Sequence, residues 1–170
     1  MNNVYVEGNL VLDFNACGLA EKFDVANPYG MKGVDFVVET EDFLYFIEVK
    51  DFQNPKTPQH QQKNDDEMLI SAIKDKKSIF TMEMGAKIKD SLLRRYAENI
   101  PLTKKVIYLL LINFDKLGEF ERGKLKEKIS GHVPTGLNAV RFNAFASITF
   151  NLVNAKQIAC YGIDCKVKST

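Results

Sequence analysis

Three residues in the first third of the chain have the types and spacing to act together: Asp35, Glu48 and Lys50. In Phe43–Asp51, side chains alternate between faces, so Leu44, Phe46, Glu48 and Lys50 share one side. The other side, Phe43, Tyr45, Ile47 and Val49, is wholly apolar. Val34–Glu39 reads as a partner strand, with Thr40-Glu41-Asp42 as the turn of a β-hairpin. That turn sets Phe36 roughly opposite Ile47 and brings Asp35 near Glu48. Two carboxylates and an ammonium then converge at one end of a hydrophobic hairpin. Charges buried there need a partner or a cation, because desolvation is costly. Hard oxygen ligands suit Mg²⁺, and a lysine two residues on could polarise a metal-bound water or stabilise charge on a phosphate. The alternative is a strand end emerging into solvent, where the same residues form exposed salt bridges.

Gly33-Val34-Asp35, twelve residues, and then Glu48-Val49-Lys50 resembles the core motif of the PD-(D/E)xK nuclease superfamily, the restriction-endonuclease-like fold. Val34 stands where the motif's name has Pro. In that family a long helix and a buried strand follow the hairpin, an order that residues 66–98 and Val106–Phe114 repeat. The resemblance implies Asp35 and Glu48 as ligands of Mg²⁺ or Mn²⁺, with the Val49 carbonyl as a third. It implies an added acidic ligand from the first core helix, Glu21 or, less well placed, Asp24. Lys50 would orient the attacking water and stabilise the transition state. The activity implied is hydrolysis of phosphodiester bonds in nucleic acid, DNA being the expected substrate. Cutting both strands would call for a homodimer. A catalytically inactive member of the same fold, binding nucleic acid or a protein, is the alternative, and a small interaction protein without a nucleic-acid role is a third reading.

The elements that must hold these residues follow from periodicity. Val4–Glu7, Gly8-Asn9 and Leu10–Phe14 suggest a strand, a tight turn and a second strand or helix start. Leu19 and Phe23, four apart, suggest a short helix over Ala16–Phe23. Residues 52–67, almost devoid of apolar side chains, are expected to form a long loop. Leu69, Ile73, Phe80, Met84, Ile88, Leu92 and Tyr96 then recur at spacings of four or seven, an amphipathic helical pattern that Gly85 could divide. Lys104–Phe114 has the continuous apolar run of a strand buried on both faces. Leu117–Ile129 reads as a helix, and Ala139–Phe150 and Ile158–Val167 as late strands. The expectation is an α/β fold, a restriction-endonuclease-like mixed central sheet flanked by helices, forming one domain over 1–170.

Composition narrows the class. The chain has 170 residues, 45% hydrophobic, which excludes disorder, while 10 Gly and 5 Pro exclude a collagenous chain. The longest apolar run is too short to span a bilayer, and the start lacks a signal peptide's basic and apolar regions, so a soluble cytoplasmic protein is expected. Cys17, Cys160 and Cys165 show neither a disulfide framework nor zinc spacing. The net charge of +1 hides a division. Residues 1–67 hold 13 acidic and 5 basic side chains, and the rest of the chain 9 and 18. A basic second half hints at a polyanionic partner, and Lys74, Lys77, Lys89, Arg94 and Arg95 are the candidate phosphate contacts, with Lys76 and Lys87 in the same run. Helical spacing spreads them around the axis, so a solvated face is the plainer reading. Tyr29 and Tyr45 could stack on bases; His60 and His132 lack a partner at metal spacing.

Overall fold

A computed structural model of the chain describes residues 3–24, 30–75, 78–135 and 148–168. Among the described residues, two sheets and three α-helices form three layers. The central sheet has the order β3-β4-β5-β6-β7, where β3 is Leu19–Lys22, β4 Phe36–Glu39, β5 Phe43–Asp51, β6 Lys105–Asn113 and β7 Ile148–Val153. Its first three strands are antiparallel, and β5, β6 and β7 are parallel. Parallel neighbours need crossovers, and helices supply them: α1 (Gln59–Lys74) and α2 (Ile79–Ala97) between β5 and β6, α3 (Glu119–Ser130) between β6 and β7. The second sheet is antiparallel, with β2 (Leu10–Asp13) between β1 (Val4–Glu7) and β8 (Asp164–Val167).

The helices cover one face of the central sheet and the small sheet covers the other. Phe46, Tyr108, Leu110 and Phe150 pack with Met84, Ile88 and Leu125 on the helical side. Phe36, Ile47, Leu109 and Leu111 pack with Leu10, Leu12, Phe14 and Ile163 on the other. Cover on both sides is why β6 is apolar nearly throughout. Tyr5, Phe14 and Phe36 pack ring against ring at 5.2–5.9 Å, tying the small sheet to the large one.

The α/β class and the β4–β5 hairpin match the expectation, and several details do not. Ala16–Phe23 holds no helix; β3 lies there and pairs with β4. A spacing of four is one helical turn and also an even number, so Leu19, Glu21 and Phe23 equally share one face of a strand. The expected loop ends at Pro58, where α1 begins; the first half of that helix holds no buried residue and so lacks an apolar stripe. The helical stretch divides between Lys74 and Ile79, not at Gly85. Gly85 lies inside α2, where a Cβ would stand 2.4 Å from His132 Cβ, so the missing side chain admits the end of α3. Tyr96, grouped by spacing with the core positions, is exposed. Residues 136–147, which include most of the strand expected at Ala139–Phe150, lie outside the described residues, and β7 runs on to Val153. Gln157–Tyr161 is a 3-10 turn, leaving only Asp164–Val167 as strand.

Candidate active site

The register of the hairpin pairs Phe36 with Ile47, as the turn length requires, and so places Asp35 beside Glu48. Glu48 follows Phe46 on the helix-facing side of β5 and is fully buried. Asp35 precedes β4 and is almost as buried. Its Oδ2 accepts the Val49 amide at 2.6 Å, closing the open end of the β4–β5 ladder with a side chain. Lys50, two residues after Glu48 and on the same face, brings Nζ to 2.6 Å from Glu48 Oε1. The triad read from spacing is assembled.

A fourth member comes from α2. Lys87 Nζ lies 2.7 Å from Glu48 Oε1 and 3.8 Å from Asp35 Oδ1. Its position is set by Ser91, one turn on, whose buried hydroxyl donates to the Lys87 carbonyl and accepts the Val34 amide at 2.9 Å. Ser91 therefore ties the Gly33-Val34-Asp35 segment to the helix that delivers Lys87. Spacing alone set Lys87 among the cations of α2; the available signal was its place between Met84, Ile88 and Ser91, at the edge of the helix's buried face.

Glu48 is the most constrained group. Neither carboxylate oxygen has a hydrogen bond of ordinary geometry. The two ammonium nitrogens nevertheless stand at contact distance from Oε1, and that attraction between ions does not depend on angle. Burial, and then the charge of Glu48, pushes the Asp35 carboxyl up to about 7, against the pull of Lys87 and the Val49 amide. Burial alone would lower Lys50; the adjoining Glu48 carboxylate outweighs it and holds the ammonium above its ordinary value. The buried Tyr108 hydroxyl, which donates to the Met84 carbonyl at 3.0 Å, is raised well above the usual phenol, by burial first and then by Glu48 and Asp35.

A cavity of about 270 Å³, lined by Phe23, Lys32, Glu83, Lys87, Asp90 and Arg94, opens beside the cluster. Glu21 lies on β3 opposite Val37, on the helix-facing side, and its carboxylate pairs with Arg95 at 3.2 Å. Asp24 stands 4.0 Å from Lys22 and borders the same cavity. Among the described residues no group of three or more His, Cys, Asp or Glu gathers as a metal-binding set.

The basic residues separate by environment. Lys74 and Lys89 are exposed, at the end of α1 and on α2. Arg94 lies 4.0 Å over the Phe23 ring, donates to the Phe23 carbonyl and pairs with Glu98. Arg95 is buried, so it does not meet solvent where a phosphate would arrive. Lys76, Lys77 and Tyr29 lie outside the described residues, and Tyr45 is buried in the core. His60 is exposed in the first turn of α1, and His132 packs on Gly85. No protein-family model, curated protein or solved structure matches this chain.

Proposed function

We propose that the protein is a restriction-endonuclease-like, Mg²⁺- or Mn²⁺-dependent nuclease that hydrolyses phosphodiester bonds of nucleic acid, with DNA as the expected substrate. The observation that carries this reading is the convergence of Asp35, a fully buried Glu48 and Lys50 with Lys87, which lines the neighbouring cavity. Structural ion pairs are seldom buried this completely, because desolvation offsets most of the attraction. The donor set fits a hard cation: Glu48 Oε2 has no partner, and Asp35 Oδ1 is 3.8 Å from its nearest cation. Asp35 and Glu48 would hold the ion, with the Val49 carbonyl the remaining donor on the same strand; Glu21 would first have to release Arg95. A divalent ion there supplies charge neutralisation and acidifies a bound water.

The chain's own residues contribute the rest. Asp35 is anchored by the Val49 amide, so its free oxygen is presented without a rotamer search. Lys50, half-buried on β5, would orient an attacking water and stabilise charge on a scissile phosphate oxygen. Lys87 adds a second positive charge on the cavity side.

Lys87 also favours a second reading. Two ammoniums already balance the two carboxylates, so the cluster can persist without a cation, as in an inactive member that only binds nucleic acid or protein. Incubating supercoiled plasmid and single-stranded DNA with Mg²⁺ or Mn²⁺ separates the two. Cleavage lost in both Glu48→Gln and Lys50→Ala supports the nuclease. Cleavage that survives Glu48→Gln removes the site assignment, and absence of cleavage by a folded protein favours the binding-only reading.

A further inference from the structure

Lys87 holds a place that a cation would need. Its ammonium, 2.7 Å from Glu48 Oε1 and 3.8 Å from Asp35 Oδ1, bridges the two carboxylates that would bind the ion. Lys50 pairs with Glu48 at 2.6 Å. Two carboxylates and two ammoniums make the cluster neutral. A divalent cation added to all four would leave two positive charges in excess in a buried site, at a high desolvation cost. One ammonium has to give way, and the surroundings of the two lysines differ. Lys87 lines the cavity of about 270 Å³, whereas Lys50 is not among the described residues around it. Ser91 bonds the Lys87 carbonyl and fixes that backbone, so only the flexible four-carbon stem has to turn. Glu83, one turn back on α2, lines the same cavity, and Glu four residues before Lys is the favourable order on a helix. Lys32 takes Glu83 through Oε1 and meets Asp90 through its backbone amide, so a second ammonium in the cavity still has carboxylate to meet.

We infer that Lys87 is an exchangeable stand-in for the cation. It neutralises Asp35 and Glu48 in the ion-free protein, and ion binding turns its ammonium out into the cavity beside Glu83. The inference rests on the metal-dependent reading of this site. With Lys87 turned out, the two carboxylates, the ion and Lys50 sum to one positive charge, which a phosphodiester anion cancels. Metal loading therefore prepares the site for its substrate, and the ion-free site has no charge left to offer one. Metal affinity is lowered by the work of displacing the ammonium, as it is whenever the binding-competent arrangement is a minority state.

Amine labelling of the parent chain with acetic anhydride, read by mass spectrometry, follows the exchange without any variant having to fold. The Lys87 side chain is 15% exposed and is expected to react slowly without metal and several-fold faster with saturating Mn²⁺, while Lys50 does not gain. Calorimetric titration with Mn²⁺ gives the energetic side. Lys87→Met binds Mn²⁺ about tenfold or more tightly than the parent, because no ammonium has to be displaced. Glu83→Gln removes the charge that receives Lys87, so it weakens Mn²⁺ binding a few-fold in the parent and leaves it unchanged in the Lys87→Met background. With Mn²⁺ bound, unchanged labelling of Lys87, equal affinity of parent and Lys87→Met, or an equal effect of Glu83→Gln in both backgrounds would each overturn the exchange and leave the metal site standing. Failure of both folded proteins to bind Mn²⁺ would instead remove the metal-dependent reading, and the exchange with it.

Discussion

Asp35 replaces a rung of the β-ladder for Val49. In the register that pairs Phe36 with Ile47, the Val49 amide would next meet the Val34 carbonyl. Val34 is instead bonded through its own amide to Ser91, and the Asp35 carboxylate takes the Val49 N–H at 2.6 Å. One side chain thus caps the strand that carries Glu48 and Lys50, and still offers an oxygen toward Lys87.

The two duties of Asp35 are separable. Asp35→Asn keeps an oxygen acceptor for Val49 and is expected to melt within a few degrees of the parent, while losing metal-dependent cleavage. Asp35→Ala leaves the Val49 amide unpartnered, a loss of about 1–3 kcal/mol that lowers the melting temperature by several degrees. Calorimetry beside the plasmid assay reads both. Equal melting of the two variants would show that the capping bond is not a stabilising one.

Protonation of Asp35 gives a pH dependence of defined sign. Its carboxyl titrates at about 7 when folded and near its ordinary 3.8 when unfolded. Between these values the folded state binds the extra proton. The metal-free protein is therefore favoured below pH 3.8 by this group, and that contribution is lost as pH rises through about 7. Asp35→Asn removes this titration, so the parent's melting temperature relative to the variant's falls across that window. A bound divalent cation requires the ionised form, so Mg²⁺ raises the melting temperature more at pH 8 than at pH 5.

Removing Lys87 leaves Glu48 and Asp35 with one ammonium fewer. Lys87→Met is expected to cost about 3 kcal/mol in metal-free buffer, the loss typical of breaking a buried ion pair. Mg²⁺ then restores more stability to the variant than to the parent, because the ion takes over the charge balance. Thermal melts with and without Mg²⁺ decide it; a variant as stable as the parent without metal would mean that Lys87 is not needed for neutrality.

Gly85→Ala tests the packing of α2 on the end of α3. The added Cβ meets the His132 Cβ and its backbone, which cannot rotate away. A destabilisation of about 1–3 kcal/mol follows from overpacking, against the small gain in helix propensity that an Ala brings to an open site. Chemical denaturation with an unchanged slope is the measurement.

The hairpin, its register and the facing of Glu48 and Lys50 were legible in the sequence, because a strand's period of two and a three-residue turn leave little freedom. So was β6, since only a strand covered on both faces stays apolar all the way from Val106 to Ile112. Other features depended on distant partners. Whether Ala16–Phe23 became helix or strand turned on the free edge of β4, which no local spacing encodes. Lys87 and Arg95 are both cations of α2 on or beside its buried stripe, a placement that periodicity carries without naming the partner. The crossover geometry brought one to Glu48 and buried the other beside Glu21. Periodicity settles which face a side chain takes within its own element. What that face meets is decided by packing, where the cost of an unpaired buried charge selects the partner.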